Sequence, residues 1–217
     1  MRKVYFISGL GADKRAFSLL DLTFCEPVFI EWIQPQPHES LKGYAVRLRA
    51  LIPEEHPIVV GVSFGGMLAS EMARADKNLK AIIIASNRSA AEFPFYLRIG
   101  KYIPLYKWIP GGFIKRNKFY WMFGPKGPAQ KKLLKEIIAD LDPRFLKWAI
   151  EAILNWNERS VPSNVTHIHG TADKLLLFRY VKADIIVPGG THLISLNMPG
   201  ELSSLLKTLV CGPDHSI

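Results

Sequence analysis

The chain of 217 residues has few cysteines and no long hydrophobic run, and both scarcities narrow the classes to which it can belong. Its two cysteines, Cys25 and Cys211, are too few for a small secreted scaffold held by disulfides, which favours a reducing compartment. No apolar stretch approaches the about 18 residues that a bilayer-spanning helix needs. The short apolar run at residues 4–7 gives way at once to glycines and charges, which indicates a first β-strand rather than a signal peptide. We therefore expect a cytoplasmic protein.

Acidic residues are missing from one long segment. Between positions 93 and 132 there are nine Lys and Arg residues and no Asp or Glu, so the net charge of +9 originates there. The same segment holds eleven aromatic side chains. Interleaved basic and aromatic residues can bind nucleic acid. No nucleic-acid motif accompanies them, however, and no nucleic-acid partner is expected.

Short runs rich in Val and Ile predict buried parallel strands, and helical periodicities lie between most of them. This alternation predicts an α/β protein in which a mostly parallel sheet of about six strands carries helices on both faces. Residues 1–217 are expected to form a single domain. The predicted strands are 3–7, 27–32, 57–62, 80–84, 164–168 and 183–187, and the predicted helices are 41–51 with Ser40 as N-cap, 64–75, 129–139, 144–156 and 200–209.

One segment breaks the alternation of strands and helices. Residues 87–156, between the fourth and fifth strands, contain no convincing strand, and prolines divide their first half into short aromatic pieces. Because strands resume afterwards, we interpret this segment (below, the insertion) as an addition to one domain rather than a second domain.

A G-x-S-x-G motif, Gly61-Val62-Ser63-Phe64-Gly65, lies between the third strand and a helix. A serine in so sharp a turn has a strained backbone that exposes its hydroxyl, and glycines on either side avoid collisions where strand and helix approach. The alternative is a nucleotide-binding glycine loop. That loop would need G-x-G-x-x-G after the first strand, and residues 8–13 do not supply it. Ser63 is therefore the candidate nucleophile.

Four motifs in this order resemble the α/β-hydrolase superfamily: SGLG at 8–11, the G-x-S-x-G turn at 61–65 (below, the serine elbow), GTAD at 170–173 and GGTH at 189–192. The resemblance covers nearly the whole chain, and it places the insertion where that superfamily carries a helical cap. It implies the α/β-hydrolase fold and a triad in which the acid and then the histidine follow the serine. Asp173 matches the acid and His192 the histidine. Asp184 is a second choice for the acid, whereas His167 and His169, within the fifth strand, are expected to be structural or solvated.

The oxyanion hole is expected to use two backbone N–H groups, one from Phe64 after the nucleophile and one from the loop after the first strand. The resemblance assigns the second to Leu10. Many members of the superfamily have His-Gly in this loop, and this chain has Ser8-Gly9 instead. Backbone donors survive that change.

These residues predict a serine hydrolase that cleaves a small-molecule acyl ester or thioester through an acyl-Ser63 intermediate, without a cofactor and without a metal. Other chemistry of the same triad (C–C hydrolysis, hydroxynitrile cleavage, cofactor-free peroxidation) and a non-catalytic binding role remain alternatives. The aromatic residues of the insertion either pack over the sheet with their basic neighbours in water, or line an acyl pocket, with Phe95, Tyr96 and Trp121 as candidates. In the second case the basic rim would attract an anionic carrier or a membrane surface.

Overall fold

A single parallel sheet of six strands organises the chain, in the order β2-β1-β3-β4-β5-β6. The structure is a computed structural model, and it describes residues 1–94 and 120–212, without the side chain of Tyr120. The expectation of about six mostly parallel strands is confirmed. The strands are β1 (Lys3–Ile7), β2 (Glu26–Phe29), β3 (Ile58–Val62), β4 (Lys80–Ile84), β5 (Val165–Gly170) and β6 (Ile185–Val187).

Helices cover both faces of this sheet. Ser40 caps the first of them, because its Oγ accepts a hydrogen bond from the N–H of Gly43 at 3.1 Å, as predicted. In the two described ranges, no helix is long and apolar enough to cross a bilayer. The helices are α1 (Leu41–Arg49), α2 (Phe64–Ala75), α3 (Tyr120–Phe123), α4 (Pro128–Ala139), α5 (Pro143–Leu154), α6 (Ile194–Asn197) and α7 (Pro199–Cys211).

The core has one layer on each face of the sheet because neighbouring residues of a strand point to opposite faces. On β1, Tyr5 and Ile7 pack with α1, α2 and α5, whereas Val4 and Phe6 pack with α7. Both layers are buried, so β1, β3 and β4 are apolar apart from the exposed lysines that begin β1 and β4, as the sequence indicated, whereas β5 also carries two buried histidines.

The edge strands are shorter than predicted. β2 ends at Phe29 rather than at residue 32, and β6 begins at Ile185 rather than at residue 183. Each edge strand pairs with a single neighbour. The apolar residues that lie beyond that pairing are therefore not part of the strand. Immediately before β6, the carboxylate of Asp184 accepts the N–H of His167 at 2.7 Å. This side-chain hydrogen bond helps to hold β6 against β5.

The described parts of the insertion are helical and contain no strand, in agreement with the sequence. Helix α5 packs on the sheet layer through aromatic contacts. Ring centroids of Phe145 and Trp148 lie 6.4 and 6.0 Å from that of Phe64, and Trp148 lies 4.4 Å from Tyr44. These contacts attach α5 to α1 and α2, and α2 begins immediately after Ser63.

The strand order creates a crevice at the carboxyl edge of the sheet. β1 pairs with β2 on one side and with β3 on the other, so the loops that leave β1 and β3 diverge. In open α/β sheets ligands bind at such a switch point.

Candidate active site

Ser63 occupies the turn between β3 and α2 in a conformation that few residues adopt. Its φ is +53°, in the left-handed region that disfavours side chains. Its N–H donates to the carbonyl of Ile84 at 2.9 Å, and its carbonyl accepts from the Ser86 hydroxyl at 2.6 Å. The strained turn is thus anchored on both sides to the end of β4.

The glycines that flank the serine are required by close backbone approaches. A Cβ on Gly61 would overlap the backbone of Gly65, and one on Gly65 would overlap the carbonyls of Ile7 and Ser8. The sequence-based reason for these glycines is therefore confirmed.

Three side chains from distant parts of the sequence meet above the sheet edge. His192 Nε2 lies 2.9 Å from Ser63 Oγ, and His192 Nδ1 lies 2.8 Å from Asp173 Oδ2. A carboxylate only accepts hydrogen bonds, so Nδ1 carries the proton and Nε2 presents its lone pair to the serine hydroxyl. Asp173 and His192 are each 3% exposed, and Ser63 is partly exposed. This arrangement can remove a proton from Ser63.

Asp173 is oriented by the backbone of its own loop. Its Oδ1 accepts the N–H groups of Leu175 and Leu176 at 2.8 and 2.9 Å, so the second oxygen faces His192. Burial disfavours the charged form. The attraction and hydrogen bond of His192, helped by the N–H of Leu176, outweigh burial and hold the pKa of this carboxyl below its ordinary value.

Two further histidines are buried behind Asp173. His169 Nε2 lies 2.8 Å from the carbonyl of Leu176, to which it must donate, and 3.6 Å from Asp173 Oδ2. His169 Nδ1 is then an acceptor for the N–H of His167 Nε2 at 3.0 Å. Burial is the largest influence on both rings and lowers the pKa of each, that of His167 well below its ordinary value. Both rings are therefore neutral near pH 7.

This pair was expected to be structural or solvated, and its complete burial excludes the solvated alternative. The contact of His169 with the acid was not predicted. His167 and His169 are two positions apart, and side chains at that spacing lie on the same side of a strand. This spacing could have predicted that the two histidines lie together on one side of β5.

The loop after β1 lies against the nucleophile. A Cβ on Gly9 would be 3.5 Å from that of Ser63. Ser8 Oγ donates to the carbonyl of Ala12 at 2.6 Å, and Trp32 Nε1 donates to the same carbonyl at 2.7 Å. Ser8, at the position where many members of the superfamily have histidine, thus connects the start of this loop to Ala12 by a hydrogen bond.

The two N–H groups predicted for the oxyanion hole are available. Within residues 1–94 and 120–212 neither Leu10 nor Phe64 donates its N–H to a hydrogen bond. Phe64 is the first residue of α2, where backbone N–H groups have no partner inside the helix and carry partial positive charge. Both residues line the same cavity as Ser63 and His192.

This cavity has a volume of about 420 Å³. Its described lining is almost entirely aliphatic and aromatic, with Ser63, His192 and Ser195 as the polar side chains. A larger cleft of about 790 Å³ lies on the other side of α5, between polar residues of segment 34–42 and α5 itself. That cleft touches none of the three converging side chains. The smaller cavity is the one that the candidate nucleophile faces.

Of the three aromatic residues named as candidates for substrate binding, Trp121 alone belongs to the described residues. Phe95 and Tyr96 lie outside the described residues. Trp121 is 61% exposed, has Lys174 Nζ 5.5 Å from its ring centroid, and is not among the residues that line the cavity. Phe123 lines it instead and meets the His192 ring edge to face, with 5.7 Å between centroids. α3 presents Phe123 rather than Trp121 to the cavity, which a linear pattern does not reveal.

The other titratable candidates are engaged elsewhere. Asp184 forms an ion pair with Arg88 at 3.2 Å and accepts the N–H of His167, away from His192. Glu92, the first acidic residue after β4 in the sequence, accepts the N–H of Arg88 at 2.7 Å. Burial raises the pKa of the Cys25 thiol to about 11, which makes it a poor nucleophile.

Comparison with known proteins identifies the family and the fold. Residues 4–205 match the family described as the alpha/beta hydrolase family. No curated protein matches the chain.

Many solved structures share the fold. A thermophilic esterase from Thermogutta terrifontis has a TM-score of 0.71 at 14% identity, over 97% of this chain and 90% of that one. A lipase-esterase related protein from Clostridium acetobutylicum has a TM-score of 0.70 at 14% identity, over 96% and 94%. A bromoperoxidase from Bacillus anthracis has a TM-score of 0.67 at 13% identity, over 94% and 90%. At such identities the likeness shows the architecture alone.

Proposed function

We propose, from the premise that this chain belongs to the alpha/beta hydrolase family, that it is a serine hydrolase cleaving carboxylic esters or thioesters through an acyl-Ser63 intermediate. The observation that carries the proposal is the continuous hydrogen-bonded chain from Ser63 through His192 to Asp173, which faces an apolar cavity. The esterases among the structural neighbours support the same reaction class.

In the first half of the reaction, Ser63 Oγ attacks the carbonyl carbon while its proton passes to His192 Nε2. The carbonyl oxygen becomes an oxyanion. The N–H groups of Leu10 and Phe64 and the N-terminus of α2 would stabilise this charge. When the tetrahedral intermediate collapses, His192 returns the proton to the departing alcohol or thiol, and the acyl group remains on Ser63.

In the second half, a water molecule gives its proton to His192 and its oxygen attacks the acyl carbon. The second tetrahedral intermediate uses the same two backbone donors. Its collapse releases the acid and returns the proton to Ser63. Throughout both halves Asp173 stays ionised, holds the imidazole in the reactive tautomer and stabilises its transient positive charge.

Covalent labelling by a fluorophosphonate tests the nucleophile directly. We expect the probe to label the native chain and p-nitrophenyl butyrate to be hydrolysed. Ser63→Ala should abolish labelling and reduce kcat by on the order of 10⁴-fold or more. Ser204→Ala, on the exposed face of α7, is the matched control and should behave as the native chain does. Labelling that persists in Ser63→Ala would place the nucleophile elsewhere.

The partners predicted from the basic segment stay predictions. Of its nine basic residues, Lys126, Lys131 and Lys132 belong to the described structure, and all three are exposed. Exposure fits both a water-facing surface and contact with an anionic carrier or membrane. Co-sedimentation with vesicles of anionic and of neutral lipid would test the contact with a membrane.

A further inference from the structure

The two long helices of the insertion each turn one apolar stripe toward the cavity. In α4, Leu134, Ile137 and Ile138 line it at three- and four-residue spacing. In α5, Leu146 and Ile150 continue the pattern. Residues at these spacings share one helix face, so the side chains form a continuous aliphatic wall.

The charged residues of α5 lie on a different face. Arg144, Lys147 and Glu151 line the larger polar cleft on the far side of the helix. No Asp, Glu, Lys or Arg is found among the described residues that line the 420 Å³ cavity. The helix therefore separates a charged cleft from an uncharged cavity, and Ser63 belongs to the uncharged one.

The opposite wall is also apolar. Met67 of α2 lies on the sheet side, and Leu175 and Leu176 come from the loop that carries Asp173. Apart from Ser63 and His192, Ser195 is the one described side chain in the lining that carries a polar group. A substrate carbonyl at Ser63 would therefore leave the rest of its acyl group among hydrocarbon.

From this lining we propose that the site takes esters whose acyl group is an uncharged aliphatic chain of medium length. The inference rests on the proposed serine hydrolase function and adds to it the chemical class of the acyl group. A carboxylate or ammonium on the chain would lose its hydration and find no ionic partner in the described lining, which is costly.

The volume of the cavity sets the length. At about 420 Å³, the cavity lies toward the small end of the about 300–1,000 Å³ range of small-molecule sites, which suits an acyl chain of medium rather than great length. Because the leaving group must share this space, we place the optimum at on the order of eight carbons. Shorter chains leave apolar wall uncovered, and longer chains exceed the space.

A series of p-nitrophenyl esters with acyl chains of increasing length tests the proposal. We expect kcat/KM to rise by up to about fourfold for each added methylene, because each buried methylene contributes about 0.8 kcal/mol. The rise should end near eight carbons and then reverse. The ester of the eight-carbon acid with a carboxylate at its far end should react at least about a hundredfold more slowly than the octanoate.

A pair of matched substitutions locates the pocket. Ile150→Phe adds volume to the cavity wall and should move the optimum to shorter chains. Ile186→Phe makes the same change on β6, where the side chain is 51% exposed, and should leave the optimum in place. Ile150→Ala, which enlarges the cavity, should move the optimum to longer chains and serves as the second variant if Ile150→Phe does not fold.

The outcomes separate this inference from the proposed function. Fluorophosphonate labelling together with a flat length profile, or with equal rates on the charged and uncharged esters, would overturn the inference and leave the serine hydrolase intact. An optimum that stays the same in the Ile150 variants would also overturn it. Absence of both labelling and hydrolysis would instead overturn the proposed function, and this inference with it.

Discussion

Replacing Asp173 by asparagine should reverse the tautomer of His192 while keeping the shape of the acid loop. Oδ1 of Asp173 accepts two buried backbone N–H groups, those of Leu175 and Leu176. An asparagine must keep its oxygen at this position, because an NH₂ group there would leave both donors unpaired. Each unpaired buried donor costs about 1–3 kcal/mol. The amide NH₂ therefore faces His192 Nδ1 across 2.8 Å, the position that Oδ2 occupies in the native chain.

This forced orientation makes Nδ1 an acceptor and moves the imidazole proton to Nε2. Nε2 then faces Ser63 with a hydrogen and cannot remove the hydroxyl proton. In the Ser-His-Asp template the same change lowers kcat about 10⁴-fold, which corresponds to about 5.4 kcal/mol of transition-state stabilisation. We expect a loss of this size in kcat, with KM changed far less because Asp173 does not line the cavity.

The assay is steady-state hydrolysis of p-nitrophenyl butyrate, with thermal unfolding to confirm that the variant folds. Asp184→Asn is the matched control, since this aspartate contacts Arg88 and the N–H of His167 but not His192. It should change kcat only slightly. A small effect at position 173 beside a large one at 184 would refute the reasoning and assign the acid to Asp184.

Three further predictions concern stability and the histidine. Gly65→Ala should lower the free energy of unfolding by about 3 kcal/mol or more, since its Cβ would overlap two backbone carbonyls, and urea unfolding would reveal it. Because burial lowers the pKa of His167 and His169, the unfolded chain binds more protons than the folded chain below about pH 6.5. Stability should therefore decrease as the pH falls from 7 to 5, and urea midpoints that stay constant over this range would contradict the argument. Phe123→Ala should lower kcat/KM about tenfold, because it removes the ring contact with His192 and part of the cavity wall. Unchanged kinetics would show that this contact does not contribute to the reaction.

Much of the fold was predictable because its signals are local. Buried parallel strands are apolar on both faces and are recognised as short runs of Val and Ile, which identified all six strands. The helix at Phe64–Ala75 was predicted at its observed bounds, since the glycine-rich elbow starts it. The edge strands were predicted too long because the end of a ladder depends on the neighbouring strand. The bounds of the insertion and the catalytic roles stay predictions.

Along the chain, the sequence by itself determined the presence of six strands and the sharp turn that contains Ser63, whereas the acid and the histidine were nominated by resemblance to a family. The strands and the turn depend on residue types at fixed spacing, which backbone geometry converts directly into local structure. Only the tertiary structure decided that Ser63, His192 and Asp173 lie within hydrogen-bond distance, that His169 is buried beside the acid, and that the cavity is walled by aliphatic stripes of α4 and α5. These features depend on the direction in which side chains point after strands and helices have packed, and residues more than a hundred positions apart set that direction together.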